Sequence, residues 1–382
     1  MIHTRISTNA RRSTTGTIRL VALLATTMGL AIFAPSAARG QVTKDIRTSA
    51  SPPVAPIQTF IKQQIAKLHG DEPKATHDAR EALIAESVAP GASPAYLATF
   101  ARELNTELVA LTKDPDLRVR LNGAVAAAKV SENIAPTLAQ VGPPLVPAIM
   151  AFMDDASEAV ALWGIKGAKA ALPRLLAQGN AQPVIAAVIA SAKKHPGNTA
   201  LAYETLGAPA SAPAGAPALI PNLIAPVQEL FAARVASYKN GIPPEAPAEL
   251  TAVSMLVDSK WWGAQNKAQR LATQQSLKNL AAAAGQQVTG PNVSEDQRME
   301  MNLIVARCGQ GFQSIGITDG VPALQQMPKN IVQPPNRNPP EAISANAKQL
   351  QDIVMKARPE LAAPAGGGAT NGKPATSTAS GG

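Results

Sequence analysis

The 382-residue chain has a single cysteine, Cys308, and is poor in aromatic (3%) and charged (16%) residues. One cysteine excludes an internal disulfide framework and any metal site built from several thiolates. Scarce aromatic residues argue against sandwiches and barrels, whose pleated faces need bulky side chains. No basic run is denser than Lys193-Lys194. Nucleic-acid recognition needs a clustered basic stripe, so that partner class is discounted. What the chain does have is alanine, 33 prolines and 46% hydrophobic residues, enough apolar surface for a core. An alanine-rich composition of this kind favours helices packed closely through small side chains.

The first forty residues read as an export signal. Arg5, Arg11, Arg12 and Arg19 precede the apolar run Leu20–Ala34, which is followed by Pro35 and small residues, with no acid before residue 40. The run is shorter than the roughly 20 residues that span a bilayer, and this order of basic, apolar and small segments is that of a cleaved secretory leader. Removing residues 1–40 takes away five arginines. The 35 basic residues become 30 against 26 acidic, so the formal net charge of +9 falls to +4. The mature chain is expected in the periplasm, the cell envelope or the medium, with no stable membrane insertion.

Residues 41–56 read as a linker. From Pro56, Ile57, Phe60, Ile61, Ile65 and Leu68 recur at helical spacing, and further helices follow at Lys74–Val88 and after Ser93-Pro94. Asp114-Pro115 looks like another helix start. Residues 207–226 are rich in Pro and Ala, with a loop expected over 211–226. Helices are expected again at Val227–Tyr238, Pro247–Val257, Ala264–Ala284 and Ser294–Cys308, the last opened by the capping box Ser294–Gln297. A turn-rich segment with one short helix covers 317–361. The Gly/Ala/Ser/Thr tail over 362–382 cannot bury enough apolar surface to order itself.

Asp114–Val130 (DPDLRVRLNGAVAAAKV) and Asp155–Ala171 (DASEAVALWGIKGAKAA) align at a shift of 41 residues. Val119, Gly123, Ala126, Ala127 and Val130 form one helical stripe, and their counterparts are Val160, Gly164, Gly167, Ala168 and Ala171. A weaker third copy starts near Asn198. On the Asp-Pro start, the Val119-Arg120 pair, the Gly/Ala stripe and the period, residues 74–210 resemble HEAT-like repeats, whose paired helices stack into a solenoid. The resemblance implies an all-α repeat solenoid over 57–210, additional C-terminal helices over 227–316, and an Asp–Arg ladder between repeats. Asp114 and Arg120 match that ladder, whereas the second copy has Ala161 at the Arg position.

Candidate chemistry is thin, and no catalytic, cofactor-binding or metal-ligating residue is assigned. His69 and His77 with Asp71, Glu72 and Asp78 sit in a polar connection better suited to solvent than to the fixed directions a metal needs. The run Ala82–Ser87 (ALIAES) is similar to the catalytic helix end of lytic transglycosylases, where a Glu protonates the glycosidic oxygen. Glu86 would take that role, but the Gly-Leu-Met-Gln segment of that family is missing, and an exposed Glu86 at a helix end is the simpler expectation. Trp261-Trp262 point about 100° apart on a helix, so one packs and the other faces a groove, where it can serve as a glycan platform. Cys308, beside Gly309 and Gly311, reads as a buried thiol at a helix stop. The overall expectation is an exported, non-enzymatic scaffold or adaptor that binds another protein, with a Glu86 glycan enzyme or a Trp261/Trp262 glycan-binding module as alternatives.

Overall fold

Helix starts are set by side chains that take up the free amides of the first turn. In the computed structural model, which describes residues 42–136, 145–211, 216–238, 246–290, 293–316 and 340–362, Ser93, Asp116 and Asp258 each cap a helix in this way. Asn266 and Ser294 do so within full capping boxes. The expected leader, most of the turn-rich segment and the tail from residue 363 lie outside the described residues. Among the described residues all regular structure is helical.

The helices are α1 (Lys44–Thr48), α2 (Val54–Leu68), α3 (Pro73–Glu86), α4 (Pro94–Leu111), α5 (Leu117–Ile134), α6 (Val146–Met153), α7 (Glu158–Ala177) and α8 (Gln182–Lys194). They continue as α9 (Thr199–Gly207), α10 (Ala216–Leu219), α11 (Pro221–Tyr238), α12 (Ala246–Val257), α13 (Ser259–Ala264), α14 (Lys267–Gln287), α15 (Glu295–Ser314) and α16 (Pro340–Ala357). Two rows result. Helices α2, α4, α6, α8, α11 and α14 each pack on the next, as do α3, α5, α7, α9, α12 and α15, and hairpins such as α2–α3 and α6–α7 join the rows. Helix α16 closes the far end against α14 and α15.

The small-residue stripe faces the seam with α6, where Gly123 meets Phe152, Gly164 meets Met153 and Gly167 meets Ile149. All ten of its residues are buried, from Val119 and Gly123 on α5 to Gly164 and Ala171 on α7. A Cβ placed on Gly167 would come within 2.9 Å of Ile149 and 3.4 Å of the Ala128 Cα, so glycine here sets how closely the helices approach. The 41-residue match extends to the turns. Asp114 Oδ1 accepts from the Asp116 amide at 2.8 Å, and Asp155 Oδ1 accepts from the Ser157 amide at 2.7 Å.

Arg120 joins the two copies. Its Nε donates to Asp155 Oδ2 at 2.7 Å and its Nη1 to the Asp114 carbonyl at 2.7 Å. Where Ala161 interrupts the pattern, His195 Nε2 donates to the Asp155 carbonyl at 2.8 Å and Asn198 Nδ2 to the Glu158 carbonyl at 3.0 Å, so the link is made from the next turn instead. Bonds with the same reach run along the chain: Arg47 to Glu86, Arg80 to Asn122, Arg174 to the Ala135 carbonyl and Gln228 to the Gln269 carbonyl, with partners 39, 42, 39 and 41 residues apart.

Several sequence expectations are corrected. Helix α5 starts at Leu117 with Asp116 as its cap, because Asp114 spends its carboxylate on the Asx turn that leads in. Residues 41–56 are not a free linker: α1 forms there, Val42 is buried, and the Ser93 amide donates to the Arg47 carbonyl at 2.8 Å. Helix α11 begins at Pro221, inside the expected loop, because proline suits a first helical turn. Helix α15 runs through Cys308, Gly309 and Gly311 to Ser314, and Gly316, with a φ of 76°, turns the chain just beyond it. Gly311 is mid-helix because a Cβ there would sit 3.3 Å from both Val253 and Val257 of α12.

Candidate functional site

The four elements α7, α9, α12 and α13 leave an open groove of about 850 Å³ between them. Leu250, Met255 and Trp261 give it an apolar floor, and Lys169, Glu204, Asp258 and Lys260 give it a rim of both charges. Lys169 and Glu204 bridge at 3.0 Å along that rim. Gly207 keeps one wall low, since a Cβ there would lie 2.8 Å from Met255 Sδ.

Beneath the groove is a buried polar cluster. Tyr203, fully buried, lines the groove with a hydroxyl that meets no hydrogen-bond partner among the described residues. Glu249 is also fully buried and accepts from Arg234 Nε at 3.1 Å and from the Tyr238 hydroxyl. Burial, and then the Glu249 charge, push the Tyr203 and Tyr238 phenols above their ordinary range. The same two causes, in the same order, raise the Cys308 thiol. Cys308 is thus neither ionised nor accessible, and it is expected to resist a disulfide reagent in the folded protein while reacting within seconds in denaturant. A stopped-flow thiol titration checks this, and stoichiometric reaction under native conditions would contradict it.

Glu86 has a different setting from the exposed helix end expected for it. It is 2% exposed and accepts from Arg47 Nε at 2.6 Å, Arg47 Nη2 at 2.7 Å and the Tyr96 hydroxyl at 2.6 Å. Both carboxylate oxygens are therefore engaged within the protein, and the side chain has no open approach for a glycosidic oxygen, which a general acid must reach. Burial and Glu86 together raise the Tyr96 phenol.

The tryptophan pair divides as the 100° spacing requires. Trp261 is buried, while Trp262 is half-buried and carries the Arg270 guanidinium 5.4 Å from its ring centre. Trp262 opens onto a second, smaller cavity of about 340 Å³, which is separate in lining from the groove. His69 Nδ1 lies 3.2 Å from Asp114, and His77 Nδ1 accepts from Arg80 at 2.9 Å, so these residues serve neighbouring turns. Among the described residues no three or more His, Cys, Asp or Glu side chains gather as a metal would need, and no helix is long and apolar enough to cross a membrane.

No known relative emerges. No protein-family model matches the chain, and no curated protein or solved structure is significantly similar to it.

Sequence reasoning missed the two buried Arg–Glu–Tyr clusters. A signal for one was present: Glu249 is the only charged residue in the apolar α12 segment APAELTAVSMLV. A lone carboxylate on a helix that buries most of itself needs a partner. Arg47 gave no comparable signal, since it lies in a short polar stretch 39 residues from the glutamate it pairs with.

Proposed function

We propose that the mature chain is an exported, HEAT-like helical-repeat scaffold without catalytic activity of its own, which docks another protein of the cell envelope in the groove along α7, α9, α12 and α13. The observation that carries this reading is the groove itself, with its apolar floor of Leu250, Met255 and Trp261 inside a rim of Lys169, Glu204, Asp258 and Lys260. A desolvated apolar centre with a charged, wet rim is the anatomy of a protein interface. Its openness suits a broad partner surface better than a sequestered substrate. The repeat reading is supported by the two helix rows and by the hydrogen bonds that recur about every 40 residues. The export reading rests on the basic, apolar and small-residue order of residues 1–40.

A photo-reactive amino acid at Thr251, on the groove, and another at Thr106, on the exposed face of α4, test the proposal in intact cells of the source. One dominant envelope protein cross-linked from position 251 but not from 106, and lost in the double reversal E204K/K260E, is the expected result. Equal capture from both positions, or capture unaffected by the reversal, would refute the docking site.

A further inference from the structure

The smaller cavity beside Trp262 has the makings of a ligand site that is independent of the docking groove. Four residues of α14, Lys267, Arg270, Leu271 and Gln274, fall at i, i+3, i+4 and i+7, so one face of the helix forms a wall. Trp262 and Ile315 add apolar surface, and Arg358 and Glu360 close the cavity from the C-terminal side.

Three features of this lining point to a ligand. The first is charge: Lys267, Arg270 and Arg358 stand against the single carboxylate of Glu360, an excess of two positive charges around about 340 Å³. Glu360 neutralises only part of it, at 3.9 Å from Arg358, and Lys267 has no acidic partner among the described residues. The second is Gln274. It is 4% exposed, lines the cavity, and its side-chain amide makes no hydrogen bond among the described residues. The amide therefore faces the cavity, where a group that both accepts and donates would pair with it. The third is Trp262, whose ring is held by Arg270 at one side and offers apolar area to whatever enters.

Together these specify one chemistry. A bare phosphate or acetate would use the cations but leave most of the volume and the Trp262–Leu271–Ile315 surface unfilled. An uncharged sugar would use the indole and Gln274 but leave the excess positive charge unanswered. We infer that the cavity binds a carboxylate-bearing sugar, with the carboxylate between Lys267 and Arg358, ring hydroxyls on Gln274 and the C–H face of the ring against Trp262.

Saturation-transfer NMR and isothermal titration of the full chain with glucuronate, glucose and acetate test this directly. Glucuronate is expected to bind with a Kd of about a millimolar, with saturation transferred to its ring protons, and glucose and acetate at least about tenfold more weakly. K267Q, which removes an exposed side chain and leaves the core intact, should weaken glucuronate about tenfold, as should W262L. Raising the salt from low to physiological concentration should weaken it further, because the cations lie near solvent. Acetate binding as tightly as glucuronate would overturn the proposal in favour of a simple anion site. Glucose binding equally, no glucuronate binding at all, or unchanged affinity in K267Q and W262L would also overturn it.

Discussion

Glu86→Leu is expected to destabilise the protein by about 3 kcal/mol, near the lower end of the range for breaking a buried charge pair. The substitution removes three short hydrogen bonds at once, two from Arg47 and one from Tyr96. Arg47 retains some access to water, with 16% of its side chain exposed, which moderates the cost of leaving its charge alone. The Tyr96 hydroxyl has no such relief, because its residue is fully buried. Loss of the pair also removes the side-chain tie between α1 and the end of α3, leaving the Ser93 bonds to the Arg47 and Ser49 carbonyls to hold α1. Tyr96→Phe deletes one hydrogen bond and should cost about 1 kcal/mol. Glu86→Gln keeps an acceptor for one partner and should fall between the two. Urea unfolding followed by far-ultraviolet circular dichroism measures all three, and a Glu86→Leu midpoint indistinguishable from that of the unsubstituted chain would show that the cluster contributes no net stability.

Gly164→Ala is expected to cost about 2–3 kcal/mol, although a single methyl group is added and alanine is the better helix former by about 1 kcal/mol. The new Cβ would lie 2.6 Å from the Met153 amide nitrogen, 2.8 Å from its Cγ and 3.0 Å from its Cα. Backbone atoms cannot rotate away, so α6 and α7 would have to separate. Gly123→Ala is the informative contrast. Its nearest neighbours are the tips of Phe152 at 3.1 Å and Leu111 at 3.2 Å, which can shift by a few tenths of an ångström, so a change within about 1 kcal/mol is expected. The two glycines occupy equivalent positions in the 41-residue match. Thermal denaturation of both variants separates them, and equal melting temperatures would mean that the seam yields as easily at the backbone as at side-chain tips.

The match between those glycines also shows how much of the fold was legible in the sequence. Periodicity placed α2 and α4 closely, because their apolar stripes are regular and Ser93-Pro94 marks a start unambiguously. The small-residue stripe of α5 and α7 was readable from its helical spacing, whereas a link such as Arg120–Asp155 was expected only from the HEAT-like resemblance. The end of α15 was not legible, because Gly311, which looks like part of a stop, is used instead for close packing on α12, a tertiary requirement that local propensity cannot express. The site was less legible still. That one tryptophan of the pair would pack while the other faced a groove followed from helix geometry, but not which of the two. The other walls of that cavity come from Gln274, Ile315 and Arg358, separated by dozens of residues and joined only through the packing of α14, α15 and the C-terminal turn. Glu86 shows the reverse failure: its local sequence suggested chemistry, whereas its burial depends on Arg47 and Tyr96, which no motif connects.

The hydrogen bonds that tie one helix pair to the next have a mechanical consequence. Arg120 to Asp155, Arg174 to Ala135 and Gln228 to Gln269 each clamp neighbours about 40 residues apart. A pull on the two ends of residues 42–287 is therefore shared at each junction between these clamps and the packed helices around them. When one pair gives way it pays out about 130–140 Å of extended chain, at the roughly 3.3–3.6 Å that each residue spans, while the pairs beyond it stay folded. Under tension such a stack is expected to lengthen in instalments of one helix pair and to rewind in the same units.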